Sequence, residues 1–237
     1  MSKLTYDEAQ DLYYIIVSVP AKDADNTTLE TELNYYLADG ETKVVYAGVD
    51  YNFRVTSYIE NAKALAAAGN EEFVAAIDLL DALESYLGYA DAYFNNKTVD
   101  AYKTDATVGV EAASRTNAAL EGVEFYGTSL LLEDNVTIRH YFRVNDIDAF
   151  VAAGYVTSVD YGTKGDYIYF DITDIPAQEL GTLKTLEFKD AEDAVVYAVN
   201  YSAANYMAAM LEDDNANLAS LANAMYDYYL AAADYAK

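Results

Sequence analysis

The chain has 237 residues, 53% of them hydrophobic, enough for one large domain or two small ones and too apolar for a disordered segment. Its 40 acidic and 14 basic side chains give a net charge of −26, which argues against nucleic acid and against anionic membrane surfaces. With no cysteine there are no disulfides, no thiolate chemistry and no Cys-ligated zinc, and the compartment stays open.

Tyr6 to Gln10 reads as one helical turn. Leu12 to Val19, an apolar run of β-branched and aromatic residues, reads as a buried strand. A polar loop follows from Ala21 to Thr28. Leu29 to Leu37 alternates apolar and polar positions, the pattern of a half-exposed strand, and Asp39-Gly40 is a hairpin-turn signal into a strand over Lys43 to Val49. Asn52 to Ala68 is Ala-rich and helical. Gly69 ends that helix and Asn70 caps the next, in which Phe73, Ile77, Leu80, Leu83 and Leu87 share one face. Residues 53–94 are thus an αα-hairpin whose apolar stripe is expected to bury against the adjacent strands. No apolar run approaches the roughly 20 residues that span a bilayer. No signal-peptide pattern follows Met1, and the early first strand reads as the edge of a piece cut from a larger protein.

Asn95 to Gly122 is polar and rich in Thr and Ala, the expected domain boundary, with Thr107 to Ala113 a candidate short edge strand. Strands are then expected at Glu124 to Leu132 and at Val136 to Val144, where Val136, Ile138, His140, Phe142 and Val144 alternate with Thr137, Arg139, Tyr141 and Arg143. Asn145 to Asp148 reads as a loop and Tyr155 to Tyr161 as a strand. Gly162 to Gly165 reads as a hairpin into Asp166 to Ile172, followed by strands at Thr182 to Phe188 and Ala194 to Val199. Ala203 to Leu211 and Leu218 to Tyr235, broken at Glu212 to Asn215, form a second helical hairpin.

The two halves share landmarks in the same order. The chain's two prolines, Pro20 and Pro176, each follow a Tyr-containing apolar strand pattern and precede Ala. Val44-Val45-Tyr46-Ala47 matches Val195-Val196-Tyr197-Ala198, and Tyr86 to Asp91 matches Tyr229 to Asp234. Self-similarity of this kind points to a duplicated structural unit. The expected fold is therefore α+β, with two related units at 1–97 and 98–237. Each unit is antiparallel β followed by an αα-hairpin, and the β part of the second is an Ig-like sandwich.

Tyr126 to Glu133 (YGTSLLLE) and Thr137 to Phe142 (TIRHYF) resemble a segment near the C-terminus of large modular cell-surface proteins from anaerobic gut Firmicutes. Tyr167-Ile168-Tyr169, Pro176-Ala177, Tyr201-Ser202, Tyr86 to Asn96 and the Tyr-rich final helix follow the same pattern. The resemblance covers most of the chain beyond about residue 40 and implies secretion and surface display beside other domains. It supplies no catalytic residues. The chain departs from it in lacking Cys and in its acidity.

Candidate chemistry is sparse. His140, the single histidine, lies on the apolar side of its strand, which suits a hydrogen-bonded core residue better than a catalytic base. There is no nucleophile elbow for a Ser/His/Asp triad, and no phosphate-cradling Gly-rich loop. Asp23, Asp25, Asp146 and Asp148 offer hard oxygen ligands for calcium, without EF-hand spacing; turn and cap chemistry is the competing role, as it is for Asp213-Asp214-Asn215. Arg139 and Arg143 are expected to pair with acids such as Asp171 across the sheet. Among the 25 tyrosines, Tyr155, Tyr161, Tyr167 and Tyr169 flank one hairpin and are the candidate binding residues, since Tyr suits interfaces and sugar stacking. The function expected is a non-catalytic structural or adhesive module of a secreted or cell-surface bacterial protein, with other domains of that protein, a glycan or a host protein as partners. A carbohydrate-binding module is the alternative, and a hydrolase ranks last. No cofactor is expected beyond calcium, and neither nucleic acid nor membrane insertion.

Overall fold

The computed structural model describes residues 5–9, 11–14, 16–24, 34–36, 43–45, 54–116, 120–132 and 135–237. The chain opens with a hairpin, β1 (Thr5–Asp7) paired antiparallel with β2 (Leu12–Tyr14), where a helical turn is expected. The cause is local: Asp7 Oδ1 accepts from the Ala9 amide at 2.9 Å, and Tyr6 donates to Asp11 Oδ1 at 2.7 Å, closing a turn rather than a helix. Among the described residues the ladder covers Leu12–Tyr14 of the expected buried strand, and Ile16 is 79% exposed. Pro20 then starts a single 3-10 turn at Ala21–Asp23. β3 (Asn34–Tyr36) and β4 (Lys43–Val45) pair antiparallel, while the Asp39-Gly40 turn lies outside the described residues.

α1 (Val55–Ala67) ends at Gly69, whose φ of +86° is the left-handed conformation that glycine adopts without strain. The Asn70 side chain accepts from the Glu72 amide and caps α2 (Glu71–Ala75), which a break at Ala76 separates from α3 (Ile77–Phe94). After an irregular stretch come β5 (Ser114–Arg115), β6 (Val123–Leu132) and β7 (Val136–Val144). Asn145 to Asp148 is not simply a loop: Asp146 Oδ1 accepts from the Asp148 amide and opens α4 (Ile147–Ala152). The next expected strand, Tyr155 to Tyr161, is divided: Val156–Thr157 (β8) pair in one sheet and Tyr161 opens a strand of the other. β9 (Tyr161–Lys164) turns at Gly165-Asp166 into β10 (Tyr167–Ile172), so Gly162 to Lys164 are strand and not turn. Pro176 starts a second 3-10 turn at Ala177–Glu179, and β11 (Lys184–Lys189), β12 (Val195–Tyr201), α5 (Ala203–Met210) and α6 (Ala216–Tyr235) complete the chain.

The fold is mixed α+β. Among the described residues it has six α-helices and two four-stranded antiparallel sheets, ordered β6-β7-β10-β9 and β5-β12-β11-β8. Period-two alternation explains the first sheet: Ile138, His140, Phe142 and Val144 are buried while Arg143 between them is exposed. Phe142 and Phe170 of that sheet meet Phe188, Tyr197 and Val199 of the second in one aromatic core. A second core joins the helices, with Leu80, Tyr86, Leu87 and Ala90 of α3 against Leu221, Met225 and Tyr226 of α6.

Here the structure corrects the sequence reading. The α3 stripe buries chiefly against α6, because the Ala-rich face of α6 allows close approach and the Tyr86 and Tyr228 rings stack at 5.4 Å. Thr107 to Ala113 form no ladder either. Residues 102–111 run as a strap along α6 and α5, held by side chains in place of a sheet. Ser220 Oγ accepts from the Tyr102 amide at 3.0 Å, and Asn223 Oδ1 from the Thr104 amide at 3.0 Å. The Tyr226 hydroxyl both accepts from the Gly109 amide and donates to its carbonyl, and Asn205 donates to the Glu111 carbonyl. Asp227 accepts from Tyr102 and Thr104, and the Tyr102 hydroxyl is pushed up to about 12 by burial and by that carboxylate.

Candidate functional site

The outer face of the β6-β7-β10-β9 sheet is the place where tyrosines converge. Strand register sets its rows. Arg143, Tyr167 and Lys164 are neighbours across β7, β10 and β9; Tyr141, Tyr169 and Gly162 form the next row, then Arg139 and Asp171. On β6 the register shifts between Phe125 and Gly127, so Tyr126 is a bulge residue, 62% exposed on this face. The bulge also returns Thr128 to the core side, where its hydroxyl meets His140 Nδ1 at 2.8 Å.

Tyr126 and Tyr167 have ring centres 4.7 Å apart, tilted by 57°. Tyr141 meets Tyr167 edge-on and Tyr169 at a tilt. The rings do not form one flat platform. Arg139 and Asp171 make a two-pronged pair, Nε to Oδ1 and Nη2 to Oδ2, both at 2.6 Å, as expected from their facing positions. That guanidinium also lies 4.0 Å from the Tyr169 ring centre and covers it. The end of the Tyr169 ring lies over Gly162, where any Cβ would come within 2.2 Å of it. Tyr169 is therefore enclosed and Tyr167 is half-buried beside Tyr126 and Arg143, whereas Tyr126 is open.

Of the four expected tyrosines, Tyr167 and Tyr169 lie on this face. Tyr161 packs on Phe150 and Phe170 and Tyr155 on Phe150 and Phe188, both against the inner core. Tyr126, Tyr141 and Arg143 join the site without having been singled out as binding residues. The signal for Tyr141 and Arg143 was present in the β7 alternation; the bulge at Tyr126 has no period-two signature.

The described calcium candidates each hold a local pairing, cap or first-turn place. Asp23 pairs with Lys22 at 2.6 Å, Asp146 caps α4, Asp148 lies in its first turn, and Asp25 is outside the described residues. Asp213 closes a turn on the Asn215 amide, and Asn215 caps α6. Among the described residues no group of three or more His, Asp or Glu is placed to hold a metal ion. An apolar cleft of about 280 Å³ lies where the two prolyl turns approach the helices, lined by Ala21, Ala24, Tyr86, Ala177, Leu180 and Tyr228 among others.

His140 is fully buried beside Phe125 and Tyr201, and its Nε2 has no partner. Burial lowers its pKa from the usual 6.5 to about 4. The folded state therefore resists protonation that the unfolded state accepts. Stability is complete above pH 6.5, falls as pH drops through the 6.5-to-4 window and levels off below it, as far as this group is concerned. The loss expected at pH 5 is about 2 kcal/mol. Urea titrations at pH 7 and pH 5 check it: His140→Phe should flatten the difference, and an unchanged difference would assign it to the carboxylates.

Comparison with family models, with curated proteins and with solved structures found no match to this chain.

Proposed function

We propose that this is a non-catalytic structural or adhesive module of a secreted or cell-surface protein, built from two copies of one β-plus-two-helix unit. The observation that supports it most is the equivalence of the two prolyl turns. Pro20 has φ −57° and ψ 141°, and Pro176 φ −71° and ψ 155°. Each prolyl carbonyl accepts from the amide three residues on, Asp23 or Glu179, at 2.9 Å. Each turn ends on a buried residue, Ala24 or Leu180, and packs on the long helix of its own half, α3 or α6. Asn70 caps α2, the short helix just ahead of α3, and Asn215 caps α6, each through its side chain. In this reading the two four-stranded sheets are an Ig-like sandwich belonging to the second copy, and the units join through α3 and α6.

The titratable groups favour scaffold over catalysis. The histidine is sealed in a core, Asp227 ties down the strap, and Asp146 and Asp213 close turns. Among the described residues no helix is long and apolar enough to cross a membrane. The likeness to modules of gut Firmicutes surface proteins supports display outside the cell, next to other domains. A glycan and host-protein binding array, run with and without calcium and assayed for product release, tests the proposal. Retention without turnover, unchanged by calcium, is expected; turnover of any retained ligand would sink the non-catalytic reading.

A second reading, glycan binding, is favoured by one observation: an exposed Tyr126 stands on a sheet face against the half-buried Tyr167, with an arginine beside both rings.

A further inference from the structure

Most described cations in this acidic protein are matched to carboxylates. Lys63 lies between Asp81 and Glu84, Lys103 meets Glu212, Lys184 meets Glu179, and Arg139 meets Asp171. Arg143 and Lys164, like Arg115, differ: among the described residues none of them has a carboxylate within ion-pair distance, and Arg115 lies over the Phe125 ring. Arg143 and Lys164 flank Tyr167, one from each neighbouring strand. Arg143 donates from Nη2 to the Tyr167 hydroxyl at 3.0 Å and lies 5.5 Å from the ring centres of both Tyr126 and Tyr167. Glu124 faces Arg143 across β6 and acts on it through space without forming an ion pair.

A guanidinium has five N–H donors in a flat fork that matches a carboxylate. Arg143 uses one of them on Tyr167, so the fork has donors to offer an incoming group. The exposed Tyr126 ring, tilted against the half-buried Tyr167, makes a notch, and an aromatic face beside a cation suits the apolar face of a sugar next to a charged substituent. A net charge of −26 repels polyanions at a distance, but that repulsion is screened beyond about 8 Å at physiological salt. What remains attractive at short range is a ligand whose carboxylates are separated by neutral, stackable rings.

We propose that the Tyr126–Arg143–Tyr167–Lys164 notch binds an acidic sugar, a uronate-bearing oligosaccharide. Its carboxylate sits on Arg143 and its ring on Tyr126, with Lys164 adding positive charge from the strand on the other side of Tyr167. This rests on the glycan reading above and names the ligand class within it.

Calorimetry on the full chain tests it, with oligogalacturonate, the same oligomer methyl-esterified, and a glutamate oligopeptide of equal charge as probes. The free acid should bind. Esterification and Arg143→Gln should each weaken binding roughly tenfold or more, the loss expected when a charged hydrogen-bonded contact goes. Tyr126→Ala should weaken free and esterified oligomers alike, while Lys237→Gln, at the far exposed end of the chain, should change nothing. Circular dichroism of each variant establishes that it is folded. Equal affinity for free and esterified oligomers, still sensitive to Tyr126→Ala, would overturn the acidic-sugar assignment and leave the glycan reading standing. No binding of either oligomer would overturn both. Equal or tighter binding of the peptide would transfer the notch to acidic protein segments and overturn the sugar.

Discussion

Phe188→Ala should destabilise the protein by roughly 3–5 kcal/mol, the range for emptying an aromatic site in a packed core. Phe188 is fully buried and its ring meets Phe142, Phe150, Tyr155, Phe170 and Tyr197. Those five rings come from both four-stranded sheets and from α4 and its exit. No single element can move inward to fill the space without breaking its own ladder, so relaxation is limited. The deletion therefore loses both the transfer energy of the ring and the edge-to-face contacts around it. A fall in melting temperature of about 8–15 °C is expected for a chain of this size. Phe188→Leu, which keeps most of the volume, should cost less than half as much. Denaturant unfolding followed by circular dichroism measures both. A cost under 1 kcal/mol for the alanine variant would mean that the two sheets do not share this core.

The second large effect belongs to Asn223→Ala. Asn223 is 2% exposed, in the middle of α6. Its Oδ1 accepts from the Thr104 amide at 3.0 Å, and its Nδ2 donates to the Leu211 carbonyl at 3.1 Å and the Ala219 carbonyl at 2.8 Å. The Ala219 carbonyl lies within α6, but the other two groups depend on the side chain. Truncation leaves a half-buried N–H and a half-buried C=O without partners, a cost of about 1–3 kcal/mol. The damage should be local before it is global, because the strap has no backbone ladder and rests on these side-chain bonds together with the half-buried Ala106, Val108 and Val110. Lys103 sits in that strap, so trypsin reports on it. Cleavage after Lys103 should accelerate at least tenfold under native conditions, in step with the greater population of the open form. Unchanged cleavage, with a stability loss below 1 kcal/mol, would show that other contacts hold the strap.

The features that the sequence displays plainly are those set by local period. Alternation along Val136 to Val144 gives the buried face of β7 and the placement of Arg139 opposite Asp171. Gly69-Asn70 and the Glu212 to Asn215 break divide both helical pairs where the structure divides them. What stays hidden depends on partners remote in the chain. Ser220, Asn223 and Asp227 look like ordinary polar residues of an Ala-rich helix, yet they lie on one stripe; more than a hundred positions away Ser220 and Asn223 serve backbone amides and Asp227 serves the Tyr102 hydroxyl. Their burial is the missing datum, and no pattern within α6 supplies it. The bulge at Tyr126 is hidden for another reason. A single extra residue shifts the phase of the strand beyond it, so strict alternation places Thr128 with the surface residues instead of beside His140. That bulge also decides which tyrosine stands open beside Arg143, so the notch became visible only in three dimensions.

The strap also sets a timetable. The Tyr102 amide waits for Ser220, a partner 118 residues further along, and Gly109 waits for Tyr226, 117 residues on. On a ribosome adding about 5–20 residues per second, that is a delay of roughly 6–24 s. Throughout it the amides stay solvated and the greasy side of α3 has no lid. The nascent polypeptide is thus a target for chaperones until α6 emerges, and long-range closure of this kind makes for slow refolding in the test tube as well.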